Sequence, residues 1–102
     1  MKRLSRVLAE AAPEWEVDHG KVLLHWCPGC KRLHPINIEK PNHCNAIWKW
    51  NGNVDAPSFS PSINIVGQCH YIITNGQIAF CADSRHQLAG ISVPLPDLPE
   101  DV

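Results

Sequence analysis

The chain has 102 residues, 44% of them hydrophobic, and a formal net charge of −1. That length allows one domain with one modest core, and the near-neutral balance gives no global argument for a nucleic-acid or membrane-surface partner. No run approaches the roughly 18 consecutive apolar residues of a membrane-spanning helix.

From the start of the chain, Leu4, Val7, Leu8, Ala11 and Ala12 recur at a spacing that lines one helical face. A short N-terminal helix is therefore expected over 1–12, ended by Pro13. Lys2, Arg3 and Arg6 crowd the end of the helix dipole that disfavours positive charge, which makes this helix a marginal flap over a sheet edge. Trp15 to Asp18 alternates apolar and polar, His19-Gly20 can turn, and Lys21 to Trp26 suits a strand, together a β-hairpin.

The hairpin runs into Cys27-Pro28-Gly29-Cys30. Two cysteines across a Pro-Gly turn form a knuckle, half of a tetrahedral zinc site. A redox Cys-x-x-Cys would open a helix, which Pro28, Gly29 and Pro35 disfavour here. Leu33, Ile36 and Ile38 mark another strand, placed at an edge by Pro35. His34 follows closely enough to be a ligand or a ligand's partner. His43 and Cys44 lie in a polar, turn-like stretch and read as surface.

Ile47 to Gly52 is a short aromatic strand with Trp48 and Trp50 on one face, most simply core. In Pro57-Ser58-Phe59-Ser60-Pro61-Ser62, prolines hold the backbone extended and give Ser58, Ser60 and Ser62 fixed directions. Those hydroxyls either satisfy loop backbone groups or wall a binding site. Cys69 to Ala82 carries the clearest local signal, Asn75-Gly76 between alternating apolar runs, which calls for a two-residue type I′ turn. It pairs Thr74 with Gln77, Ile73 with Ile78, Ile72 with Ala79 and Tyr71 with Phe80, and puts His70 opposite Cys81. Tyr71, Ile73, Ile78 and Phe80 then face the core, and Cys69 points away from His70.

The expected fold is mainly β, a single zinc-stabilised domain of six or seven short antiparallel strands. The helix over 1–12 precedes it, and an extended, poorly packed tail over 94–102 follows. Five cysteines, an odd number, with no secretory leader argue for a reduced, cytoplasmic chain whose cysteines are ligands.

The ordered set Cys-Pro-Gly-Cys-x-x-x-His (Cys27 to His34), Trp-x-Trp-Asn-Gly (Trp48 to Gly52), Pro-Ser-Phe-Ser-Pro-Ser (Pro57 to Ser62), Cys69-His70 and Asp-x-x-His-x-Leu-Ala-Gly (Asp83 to Gly90) resembles one family. These are small zinc-binding proteins of bacteriophages and prophages, of undetermined function and often labelled ammonia monooxygenase. The resemblance covers about residues 22–97. It implies a phage-encoded protein of the host cytoplasm, and some relatives stand beside ubiquitin-like conjugation genes, which implies a defence or counter-defence setting. The oxygenase label conflicts with the residues, which offer neither a membrane span nor a dense histidine and carboxylate copper site.

Cys27, Cys30, His34, Cys69, His70 and His86 fall on positions of the family pattern. Cys81 does not, because an aliphatic residue is usual there. Hairpin geometry alone favours His70 and Cys81 as the second half-site, whereas the pattern favours Cys69 and His86. The expected zinc ligands are Cys27, Cys30, Cys69 and His86, with His70 the first substitute and Cys81 a packed thiol.

Four protein ligands would make the zinc structural and leave function to the surface: Trp48, Trp50, Ser58, Ser60, Ser62 and Lys31-Arg32. Three would leave a metal-bound water for hydrolysis, with His70 or Asp83 as proton shuttle and the three serines lining the groove. No glutamate stands beside a ligand as in zinc hydrolase motifs. The preferred reading is therefore a protein-interaction module with a protein partner. A zinc-dependent hydrolase is the alternative, and a nucleic-acid-binding knuckle, disfavoured by the charge balance, the third. Oligomeric state is left open.

Overall fold

Among the described residues, two four-stranded antiparallel sheets and a two-stranded ribbon build the domain. The computed structural model describes residues 1–101, giving the backbone alone for Trp15 and Glu16; Val102, the end of the expected tail, lies outside them. In chain order the elements are β1 (Lys2–Arg3), β2 (Ala9–Glu10), α1 (Pro13–His19), β3 (Val22–Cys27), β4 (Arg32–Asn37), β5 (Lys49–Trp50), β6 (Phe59–Ser60), β7 (Ile63–Ile65), β8 (Cys69–Thr74), β9 (Gln77–Phe80) and β10 (Ser92–Pro94). The first sheet has the order β1-β2-β3-β4, the second β10-β9-β8-β7, and the ribbon is β5-β6. The fold is mainly β, as expected.

The helix lies elsewhere than expected. Residues 1–12 contribute two short strands, and Ala9 and Glu10 pair with Leu24 and Leu23 on β3. Pro13 starts α1 instead of ending a helix before it. Proline suits a first helical turn, where its missing N–H has no partner to lose, and Lys2, Arg3 and Arg6 disfavour a helix beginning ahead of them. The expected hairpin strand over Trp15 to Asp18 falls within this helix. Leu8, just ahead of β2, is nonetheless fully buried in the core.

Between the sheets, Leu8, Leu23 and Ile36 join the same buried cluster as Tyr71, Ile73 and Ile78, all fully buried. Each such side chain contributes about 1.5–3 kcal/mol by leaving water. Pro35 sits on β4, an edge of the first sheet, where a missing backbone N–H is tolerated. The β8–β9 register matches the sequence reading pair for pair, from Thr74–Gln77 to Tyr71–Phe80. Asn75 and Gly76 both take positive φ, 48° and 75°, as a type I′ turn requires.

The tail is packed, contrary to expectation. Ser92–Pro94 pairs with β9, Leu95 and Leu98 are buried, and their amides donate to Gly76 O (2.8 Å) and Arg6 O (2.7 Å). The prolines keep this segment extended without removing its leucines from the core.

Candidate active site and metal cluster

Cys27 is the last residue of β3, and the Pro28-Gly29 turn brings Cys30 back so that its amide donates to Cys27 Sγ (3.3 Å). Cys69 opens β8 with its side chain on the buried face, and the Cys27 and Cys69 sulfurs stand 4.0 Å apart. From the loop after β9, His86 lays its ring across the knuckle, with Nε2 3.2 Å from Cys69 Sγ. A Cβ at Gly29 would collide with that ring, so glycine is required there for a steric reason. The four ligand atoms of Cys27, Cys30, Cys69 and His86 all lie within 4.8 Å of one another. Tetrahedral ligands around a zinc ion stand about 3.5–3.8 Å apart, so the donor set and its spacing fit such an ion.

Burial pushes the Cys27 thiol up, and burial followed by the neighbouring Cys27 and Cys30 pushes Cys69 up strongly. Thiolates so confined are stable only beside a compensating cation, which a divalent metal provides. The cluster could hold a metal ion.

The two substitute ligands are engaged elsewhere. His34 faces His25 across the β3–β4 pair, and both rings meet one phenol: Tyr71 Oη lies 2.7 Å from His25 Nε2 and 3.0 Å from His34 Nδ1. Burial first, then the neighbouring His34, lowers His25 to about 3; burial first, then Arg32 and His86, lowers His34 to about 4. Both rings are therefore neutral. One imidazole donates to the phenol oxygen while the other accepts the phenol proton.

His70 points to the opposite face of β8. Its Nδ1 lies 3.2 Å from both carboxylate oxygens of Asp83, and its Nε2 lies 3.0 Å from Ser62 Oγ. The β7–β8 register explains the second contact: Asn64 sits directly opposite His70, and Ser62, two residues earlier, shares its face. The first contact is held from behind. Ser84 Oγ accepts from the His70 amide (3.0 Å) and donates to the His70 carbonyl (2.8 Å), fixing the residue next to Asp83. Nδ1–H donates to the carboxylate, so the Nε2 lone pair is left to accept the Ser62 hydroxyl.

The three serines separate. Ser58 Oγ accepts from the Asn75 amide (2.7 Å) and serves the hairpin turn, whereas exposed Ser60 borders a hollow of about 820 Å³ beside Lys21 and Trp50. Ser62 lines a groove of about 880 Å³ with Leu33, Ile47, Trp48, Asn64 and Val66. Buried Trp48 braces it, Nε1–H donating to Ser62 O (3.2 Å). Trp50 is half-buried in the β5–β6 ribbon. Cys81 lies beside His70, its amide donating to His70 O (2.8 Å).

A family model described as the bacterial ubiquitination-like system serine protease (BubE) matches residues 4–81. The chain belongs to the BubE family. No curated protein and no solved structure matches it.

Membership in a serine protease family corrects the reading of this chain as a protein-interaction module. It equally displaces metal-activated hydrolysis and the nucleic-acid knuckle, since a serine protease uses a side-chain hydroxyl as its nucleophile. The phage and prophage setting has no counterpart in the family description, whereas the link to ubiquitin-like conjugation does. Ser62 and His70 fall inside the match and Asp83 just beyond it. Sequence reasoning had named all three residues, but as groove lining and proton shuttles. The missed signal was the strand Ile63–Ile65, which brings Ser62 to His70. Among the described residues, no helix is long and apolar enough to cross a membrane.

Proposed function

We propose that this protein hydrolyses acyl bonds of a protein substrate within a bacterial ubiquitination-like system, with Ser62 as nucleophile, His70 as general base and Asp83 as the orienting carboxylate. The observation that carries this reading is the continuous hydrogen-bond line Ser62 Oγ–His70 Nε2 and His70 Nδ1–Asp83, at 3.0 and 3.2 Å. Chain order Ser, His, Asp is no obstacle, because such triads are recognised by geometry and not by sequence position. The family supplies the substrate class and the groove beside Ser62 supplies room for an extended segment.

In the reaction, His70 Nε2 takes the Ser62 proton as Oγ attacks the substrate carbonyl carbon. Asp83 stabilises the imidazolium and keeps its Nδ1–H pointing away from the serine. The proton passes to the leaving amine, an acyl-Ser62 ester remains, and water, deprotonated by the same ring, releases it. We further assign zinc to Cys27, Cys30, Cys69 and His86, in a structural role. A bound zinc would supply charge compensation for the thiolates and cross-link β3, β8 and the loop carrying Asp83.

A fluorophosphonate probe followed by peptide mass spectrometry tests the nucleophile. The expected result is one adduct, on Ser62, absent in Ser62→Ala and strongly reduced in His70→Ala. Labelling of Ser58 or Ser60 instead, or no labelling of the folded protein, would overturn the assignment. Metal analysis of Cys27→Ser tests the cluster, and full zinc content with unchanged melting would refute it.

A further inference from the structure

Beside the Ser62–His70–Asp83 line, a second group of possible metal ligands comes together. A nitrogen of His70, Cys81 Sγ and a carboxylate oxygen of Asp83 all lie within 4.8 Å of one another. Two features produce this. The β8–β9 pairing ends at Tyr71–Phe80, and just beyond it the Cys81 amide donates to the His70 carbonyl (2.8 Å), so Cys81 stands across from His70. The chain then turns, with the Ser84 amide donating to Cys81 O (3.1 Å), and this returns Asp83 to the same imidazole. The Asp83 side chain is 66% exposed and that of His70 27%, so an ion has an open approach from solvent.

We propose that His70, Cys81 and Asp83 form an inhibitory site for a zinc-like divalent cation, separate from the Cys27 cluster, that switches the protease off. Thiolate, imidazole and carboxylate together suit zinc, and three protein ligands leave water to complete a tetrahedron. The inhibition follows from the tautomer. A cation on Nδ1 replaces the proton that Asp83 holds there, and it occupies Asp83 as well. The neutral ring then carries its remaining proton on Nε2, facing Ser62, and has no lone pair with which to accept the serine proton. Inhibition is therefore reversible and requires no displacement of Ser62.

This inference rests on the reading of Ser62 as nucleophile, and the experiment separates the two. Protein carrying one equivalent of zinc in the Cys27 cluster is labelled with fluorophosphonate, with and without further zinc chloride, and the ratio of rates is compared with that of Cys81→Val. Saturating zinc is expected to slow the wild type at least about a hundredfold, within the roughly 10⁴-fold cost of a misplaced tautomer. Cys81→Val should keep nearly equal rates in both conditions. Equal slowing of both proteins, or a wild type indifferent to zinc, would overturn the proposal. Cobalt(II) titration gives a readout independent of activity: the second equivalent should produce a thiolate-to-cobalt absorption band that Cys81→Val lacks. If the protein takes no label without the further zinc, the Ser62 reading fails, and the cobalt band alone still decides whether the site exists.

Discussion

Asp83→Asn isolates what the carboxylate does for His70. The Asp83 oxygens are equidistant from Nδ1 at 3.2 Å, but the side chain is 66% exposed. A pair of unit charges about 4 Å apart is worth about 1 kcal/mol in water and about 4 at an effective dielectric of 20. Exposure places Asp83 toward the weaker end, about 1–2 kcal/mol, or roughly a fivefold to thirtyfold loss for charge alone. Asp83→Ala, which lets water bond either tautomer, should therefore cost about that much. Asp83→Asn places an amide against Nδ1, and its NH₂ donates to that nitrogen, driving the proton to Nε2. The expected loss is up to about 10⁴-fold, or about 5.5 kcal/mol. The assay is the second-order rate of fluorophosphonate labelling at fixed pH and salt, backed by hydrolysis of an activated ester. An Asp83→Asn protein as fast as wild type, or faster than Asp83→Ala, would refute the tautomer argument.

Tyr71→Phe removes the one phenol shared by two buried histidines whose other nitrogens, His25 Nδ1 and His34 Nε2, already have no partner among the described residues. Leaving both rings unsatisfied should cost about 2–5 kcal/mol in urea unfolding, and a loss under about 1 kcal/mol would contradict the hydrogen-bond account. His25 has a folded pKa of about 3, below its ordinary value, so the unfolded chain binds the proton first as pH falls. Its contribution is complete above about pH 6.5 and is lost downward toward 3, amounting to about 2 kcal/mol by pH 5. The stability difference between pH 7.5 and pH 5 should thus shrink by that amount in His25→Phe; an unchanged difference would show that His25 is not the proton acceptor. Gly29→Ala drives a Cβ into the His86 ring, and should lower metal content and melting temperature together. Retention of both would mean that His86 is not held over the knuckle.

Local signals in this chain were legible and long-range ones were not. The Asn75-Gly76 turn carried the whole β8–β9 register, because a two-residue loop leaves no freedom in pairing. The knuckle was equally plain, since Pro28-Gly29 between two cysteines has few other uses. Residues 1–12 misled because their apolar spacing fits a helical face, while pairing of Ala9 and Glu10 with β3, a contact invisible to local periodicity, decided their conformation. Leu95 and Leu98 were hidden in the same way by flanking prolines. The Ser62–His70–Asp83 line failed to emerge for a third reason. Ser62, His70 and Asp83 lie on three segments, and only the pairing of Ile63–Ile65 with Cys69–Tyr71 reveals that the first two share a face.

That arrangement also explains how a small domain can hold an exposed carboxylate in register. Asp83 sits in a loop, where side chains ordinarily sample many positions, yet the backbone on both sides is pinned. Ser84 clasps the His70 amide and carbonyl, and the Arg85 amide donates to Gln68 O (2.8 Å). His86 packs edge-on against Phe80, with centroids 4.5 Å apart, while its Nε2 faces Cys69. Cys69 and His86 thus tie both ends of the segment bearing His70 and Asp83 to one cluster. On this reading a metal there contributes to catalysis only through position: stripping it loosens Asp83 from His70 and leaves Ser62 braced by Trp48. Zinc removal should consequently slow labelling no further than Asp83→Ala does, until the domain itself unfolds. A metal that bound the reacting water would behave oppositely, since its loss would abolish turnover while sparing reaction of the serine with fluorophosphonate.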